Sequence, residues 1–287
     1  MDLHETVRAV YDKGSGQDAV FGTRTRVMNK QKIVIRLTLG ALAALTLYGF
    51  ATFDYKGVQL GEAVSSTLQT VRTMFLQPRL THFTFVEALG QIAITLGLAF
   101  LTTLFGAVIA LYLGLLAARN LSHPRLSVVI KGAVAFIRAV PTVLWVLIFA
   151  VAAGLGSVAA VIGMTFHSIS YLVKAYSESF EELDQGTIEA LKASGANWWQ
   201  IVFQAVLPSS ASYLISWTFM RFEINFAVAV AMGAAAGAGG IGYDMFMASS
   251  FYYDVREIGA ITYFILGFAI LLEIAASGIK RKLRVHN

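Results

Sequence analysis

The stretch 88–117 carries no charged side chain. About 20 apolar residues suffice for a helix to cross a bilayer, so a run of this length predicts a tilted span or one that extends beyond the membrane. Further apolar runs cover roughly 33–53, 128–153, 157–175, 209–233 and 257–279. Basic residues cluster beside them: Arg24, Arg26, Lys30 and Lys32 before the first, Arg119, Arg125 and Lys131 after the second, and Lys280, Arg281, Lys282 and Arg284 at the end. Six spans with both termini cytoplasmic place every cluster on the inner side, as the positive-inside rule requires. The expectation is an all-α integral membrane protein with about six transmembrane helices.

Composition agrees. Hydrophobic residues make up 57% and charged residues 14%, against about 25% charged in soluble domains. Mean hydropathy is +0.67. The net charge of +5 lies beside apolar runs, which argues against nucleic acid as a partner. With no cysteine, disulfides and thiolate metal sites are excluded. Residues 1–32 are polar and mixed in charge, so they read as a cytoplasmic tail rather than a signal peptide. Residues 33–82 read as a first span plus an outer amphipathic helix with Val58, Leu60, Val64, Leu68, Val71 and Phe75 on one stripe. Residues 83–284 form the core, with a cytoplasmic connection over 176–208 and an outer loop over 234–256. No internal repeat is evident, so two copies or a paralogous pair are expected to enclose a pathway.

The connection contains two short helices around a glycine turn. Thr187 is the expected cap of the first, and Glu189 lies in its first turn, where a negative charge suits the helix dipole. Ser194-Gly195 ends that helix, and Asn197 caps the second. Ile201, Val202, Ala205 and Val206 make an apolar stripe, and Pro208 is expected to stop the run.

Glu189, Ala190 and Gly195, followed by Leu207 and Pro208, resemble the "EAA" coupling loop of ABC-importer permeases. The run Arg221-Phe222-Glu223-Ile224-Asn225 and the run Gly237-Ala238-Gly239-Gly240-Ile241-Gly242 are similar to phosphonate-type (PhnE-like) permeases. The likeness covers roughly 85–284. It implies a type I ABC-importer permease: a non-catalytic subunit in the bacterial plasma membrane. It further implies two copies of a separate ATPase that bind ATP and magnesium, an extracytoplasmic binding protein and a second permease subunit. The implied cargo is phosphonate or a related phosphorus oxyanion. The ATPase-coupling residues would be Glu189, Ala190, Gly195, Ala196, Leu207 and Pro208. This chain has no phosphate-cradling lysine motif and needs no cofactor of its own.

Ionisable groups inside hydrocarbon cost about 2.5–3.5 kcal/mol on insertion scales, so each demands a reason. Tyr213, Trp217, Arg221 and Asn225 share one helical stripe, and Ser212, Ser216 and Glu223 another. One face is expected to line a pathway and the other to lock a helix pair, with Glu223 pairing Arg138 or Arg221 as the structural alternative. Arg221 offers a fork that matches phosphorus oxyanions. His167, Ser170, Tyr171 and Lys174 share a face, with His167 either contacting a passing anion or bonding a neighbouring helix. Arg138 and Pro141 resemble the family's R-x-x-P and are expected to kink the third span, and Pro141 joins Gly237, Gly239, Gly240 and Gly242 as a candidate gate. The glycine run matches a dinucleotide fingerprint in letters only, because no strand precedes it. The five histidines show no ligand spacing. Three rival readings remain: an amino-acid or methionine-type permease, an ion-coupled carrier or channel working without an ATPase, and a scaffold.

Overall fold

The computed structural model describes residues 30–53, 57 and 59–285. The expectations for 1–29 and Val58 lie outside them. The chain divides into two units, 1–60 and 61–287.

In the first unit, α1 (Lys30–Thr52) has no buried residue. It is long and apolar enough to cross a membrane. The hydroxyls of Thr38 and Thr46 donate to Val34 O and Leu42 O one turn back, so these two groups are satisfied within the helix. The span expected over 33–53 is present, and it begins three residues earlier.

In the second unit, α2 (Leu60–Leu76) carries the expected stripe, with Leu60, Val64 and Leu68 all well exposed. Next comes α3 (Phe85–Ala117), opened by a capping box in which Thr84 and Glu87 exchange hydrogen bonds. At about 1.5 Å per residue it is roughly 50 Å long. The third apolar run is not one continuous span. It divides into α4 (Pro124–Ala139) and α5 (Thr142–Ala153), bent by 92°. Pro141 has no N–H and forces Val140 into an extended conformation, which ends α4 sharply instead of kinking it gently. The break is tied across itself by Trp145 Nε1, which donates to Ile137 O at 3.0 Å.

Helix α6 (Ser157–Glu181) runs on past the expected end of the fourth span. A short helix, α7 (Gln185–Ala193), follows. Beyond it α8 (Trp198–Ile201) passes through a wide turn, Val202–Val206, into α9 (Leu207–Ala236). Pro208 therefore does not stop the run. Leu207 N–H reaches back five residues to Val202 O, and this widened turn accommodates the proline ring without breaking the helix. The stretch expected as an outer loop holds a further helix, α10 (Ile241–Ser250), before α11 (Val255–Val285). Among the described residues, five helical stretches are long and apolar enough to span a membrane, or six if the bent pair counts as one.

Two apolar clusters hold α3, α6 and α9 together. One gathers Ala110, Leu172, Val173, Phe180, Ile188, Val202 and Val206 near the α7–α8 connection. The other gathers Ile92, Ala99, Met164, Phe226, Met232, Ile241 and Ile261 at the opposite end. Between them along all three helices lie Thr103, Ser168, Arg221 and Asn225, which are polar and buried.

Candidate functional site

The connection between α6 and α9 folds as a knuckle. Asp184, not Thr187, caps α7. Its carboxylate accepts from Gly186 N and Thr187 N, and also from the Thr187 hydroxyl. The Gly186 N–H, then the Thr187 groups, hold the Asp184 carboxyl below its ordinary value of 3.8. Asp outcompetes Thr because an ionised carboxylate accepts several N–H bonds at once. Gly195 closes α7 at φ +87°, and Ala196 N donates to Leu191 O, the five-residue return of a Schellman cap. Asn197 then exchanges hydrogen bonds with Gln200, the capping expected for the second helix.

The knuckle is fastened to the rest of its unit. Ile188 is buried, and Trp198 Nε1 donates to Leu121 O at 2.8 Å. Asn120 Nδ2 donates to Phe180 O at 2.7 Å, and Lys131 pairs with Glu181 at 2.7 Å. Glu189, Ala190, Gly195 and Pro208 are exposed, whereas Ala196 and Leu207 are half-buried. Thus the structure gathers the first three on one rigid protrusion, and Leu207 and Pro208 sit at its root. Trp199 and Phe203, which the sequence reading did not single out, stack beside them with rings 6.0 Å apart and both mostly exposed. Their four-residue spacing was the available signal.

A second constellation lies mid-span. Arg221 is 2% exposed; its Nε donates to Ser168 Oγ at 3.1 Å and a terminal nitrogen bonds His167 Nδ1 at 3.0 Å. The guanidinium also faces the Tyr171 ring at 5.1 Å. Asn225, fully buried, donates to Thr103 Oγ1 at 2.8 Å and to Ser168 Oγ at 3.0 Å. One asparagine thus joins α3, α6 and α9. Gly106 permits this: a Cβ there would lie 2.9 Å from that of Ser168, too close for the two helices to meet. The expected Tyr213–Asn225 stripe runs from an exposed tyrosine to a sealed asparagine, so Arg221 and Asn225 lock helices in this conformation. Glu223 is half-buried, and among the described residues it pairs with neither Arg138 nor Arg221, contrary to the structural alternative. Arg138 stands in the last turn of α4, half-buried, at the break made by Pro141.

At the opposite end the glycine run is a close-packed turn. Gly237, Gly239 and Gly240 all take positive φ. Ile241 N donates to Thr95 Oγ1 at 3.0 Å, and a Cβ on Gly242 would collide with Val230 O. The segment before α3 is clipped to α11 nearby: Glu257, fully buried, accepts from Thr81 N, His82 N and His82 Nδ1. His82, Asp254 and Glu257 bring ligand-type atoms within 4.8 Å of one another despite their distant sequence positions. Their oxygens, however, are already engaged by Thr81, by His82 and by the first N–H groups of α11.

Residues 110–284 match the family of binding-protein-dependent transport system inner membrane components. The chain belongs to this family. The permease chain is 33% identical to the phosphite transport system permease protein PtxC of Stutzerimonas stutzeri, over 66% of its own length and 68% of that protein. It is 33% identical to the phosphate-import permease protein PhnE of Mycolicibacterium smegmatis, where the match covers 64% of this chain and 35% of the relative. In fold it is similar to the inward-facing MetNI methionine ABC transporter, with TM-score 0.65 at 22% identity, over 71% of this chain and 99% of that one. The type I importer permease architecture implied by the resemblance is thereby established, and the chain is a multi-pass membrane protein.

Proposed function

We propose that this chain is the translocating subunit of an ATP-driven importer for a phosphorus oxyanion. It acts in the bacterial plasma membrane with its termini and its knuckle cytoplasmic. A separate ATPase, in two copies, binds ATP and magnesium and grips the knuckle. An extracytoplasmic binding protein delivers cargo, and a second permease subunit completes the pathway. The observation that carries this reading is the rigid, externally displayed Glu189–Gly195 protrusion, held by Asp184, Asn197 and Trp198, in a chain related to phosphate and phosphite permeases. A protrusion that must transmit displacement has to be stiffer than its connection to the membrane helices, and caps at both of its helices supply that stiffness. The ATPase partner, not this chain, supplies the chemical step.

The test is ATP-dependent uptake of labelled phosphite, phosphate and a phosphonate by vesicles. Glu189→Lys and Gly195→Asp should abolish uptake while the subunit still reaches the membrane. Uptake by both variants at wild-type rate overturns the coupling role. Competition by methionine, with no competition by phosphorus oxyanions, overturns the cargo.

A further inference from the structure

The end of α2 is keyed to one face of α11, and that face continues into the membrane. Gly259, Tyr263, Leu266 and Ile270 follow one another along it at helical spacing. Near the start of α11, Phe75 O accepts from the Tyr263 hydroxyl at 2.7 Å, and the two rings meet edge to face. A Cβ on Gly259 would collide with Met74 O, so a glycine is needed for the two backbones to meet. Arg79 N adds a tie, donating to Arg256 O at 3.2 Å. Further along the same face Leu266 and Ile270 are exposed, within an apolar stretch, Val255–Gly278, long enough to cross a bilayer. An exposed apolar face in such a stretch meets lipid. Met74 and Phe75 are therefore held roughly one to two turns inside the start of that stretch.

Along α2 itself, Val64, Leu68, Val71 and Phe75 fall within an arc of about 60°, at about 100° per residue. Glu62, Ser66 and Gln69 occupy the opposite side and are exposed. Phe75 carries the apolar stripe onto α11. Val64, Leu68 and Val71 carry it away and are 58%, 64% and 45% exposed. The exposed stripe is thus continuous with a face that already touches a membrane helix. Among the described residues, α2 is not one of the stretches long and apolar enough to span a membrane. A helix too polar to cross, apolar along one face and pinned near the membrane edge, lies in the plane of the interface. Its anchor belongs to the end of the fold opposite the knuckle, where Ile261 joins the second apolar cluster.

We propose that α2 is an interfacial strap: its Val64–Phe75 face sits in the lipid headgroup and acyl boundary, and α11 fixes its depth. The partner is the phospholipid surface itself. The choice of the outer leaflet rests on the cytoplasmic placement of the knuckle proposed above; the seating in lipid does not.

The chain has no cysteine, so a single introduced thiol can be labelled at one site. The experiment uses the full-length chain in phosphatidylethanolamine–phosphatidylglycerol vesicles. Val64→Cys, Leu68→Cys, Val71→Cys, Glu62→Cys, Ser66→Cys and Gln69→Cys each receive a nitroxide; all six sites are exposed, so the label displaces no core. Collision with oxygen, which concentrates in lipid, is compared with collision with a water-soluble nickel chelate. The oxygen-to-nickel ratio should peak at the first three sites and fall at the other three, with a period of about 3.6 residues. A ratio that is flat along α2 overturns the strap, because the stripe then faces water. Exclusion of both reagents from the first three sites also overturns it, because protein then covers the stripe. In intact cells a membrane-impermeant maleimide should label Gln69→Cys from outside. Labelling only after permeabilisation overturns the orientation reading and moves the strap to the inner leaflet, while the nitroxide pattern decides the seating separately.

Discussion

The knuckle and the mid-span network solve opposite problems. In the knuckle, the capping hydrogen bonds join residues two to five apart: Asp184 to Gly186 and Thr187, Asn197 to Gln200, Ala196 to Leu191. In the network the partners are remote, with Asn225 reaching Thr103 and Ser168, and Arg221 reaching His167. Local bonds make stiff helix ends that can stay exposed to solvent. Remote bonds make three helices one body, at the risk that a single loss weakens several helix contacts at once.

That contrast can be broken by substitution. Asn225→Leu should have the largest effect, about 3 kcal/mol, because it removes three buried hydrogen bonds that join α9 to Thr103 and Ser168 on two other helices. Thermal unfolding in detergent would show it as a global loss; a loss confined to α9 would break the comparison. Gly242→Ala comes next, at about 1–3 kcal/mol, since the added Cβ meets the Val230 carbonyl. It should loosen the α9–α10 turn and leave hydrogen exchange at the knuckle unchanged. Asn197→Ala should cost about 1 kcal/mol, the worth of an N-cap. The loss should appear as faster exchange in 198–206 with global unfolding hardly moved.

Acid gives the smallest effect. The Asp184 carboxyl sits below its ordinary value of 3.8 in the folded chain. Its capping contribution is therefore complete above that value and is lost only as pH falls through the lower folded value. Knuckle exchange protection should be flat from pH 7 to about pH 5, and Asp184→Asn, which still caps, should change it little. A marked loss of protection within that range would mean another group holds the knuckle.

Much of the knuckle was legible because its determinants are neighbours in the chain. Gly195 and Asn197 announce a left-handed closure and a cap by residue type alone. The cap at Asp184 was misplaced to Thr187 because both residue types favour caps, and only the chain path decides which one meets the free N–H groups. Pro208 was misread as a stop, because a widened turn that spares a helix leaves no compositional mark. Pro141 was read as a kink, yet its right-angle break depends on α5 packing back against α6.

The apolar runs and the basic clusters beside them determined by themselves that this chain is a multi-pass helical membrane protein, because hydrocarbon tolerates little else. The glycine turn at Gly195 and the cap at Asn197 followed from local rules of helix closure. Only tertiary structure decided that Arg221 and Asn225 are sealed, that Glu223 pairs with neither arginine, and that His82 meets Glu257 across the sequence. Those outcomes depend on which faces of α3, α6, α9 and α11 meet, and helix packing, not residue type, sets them.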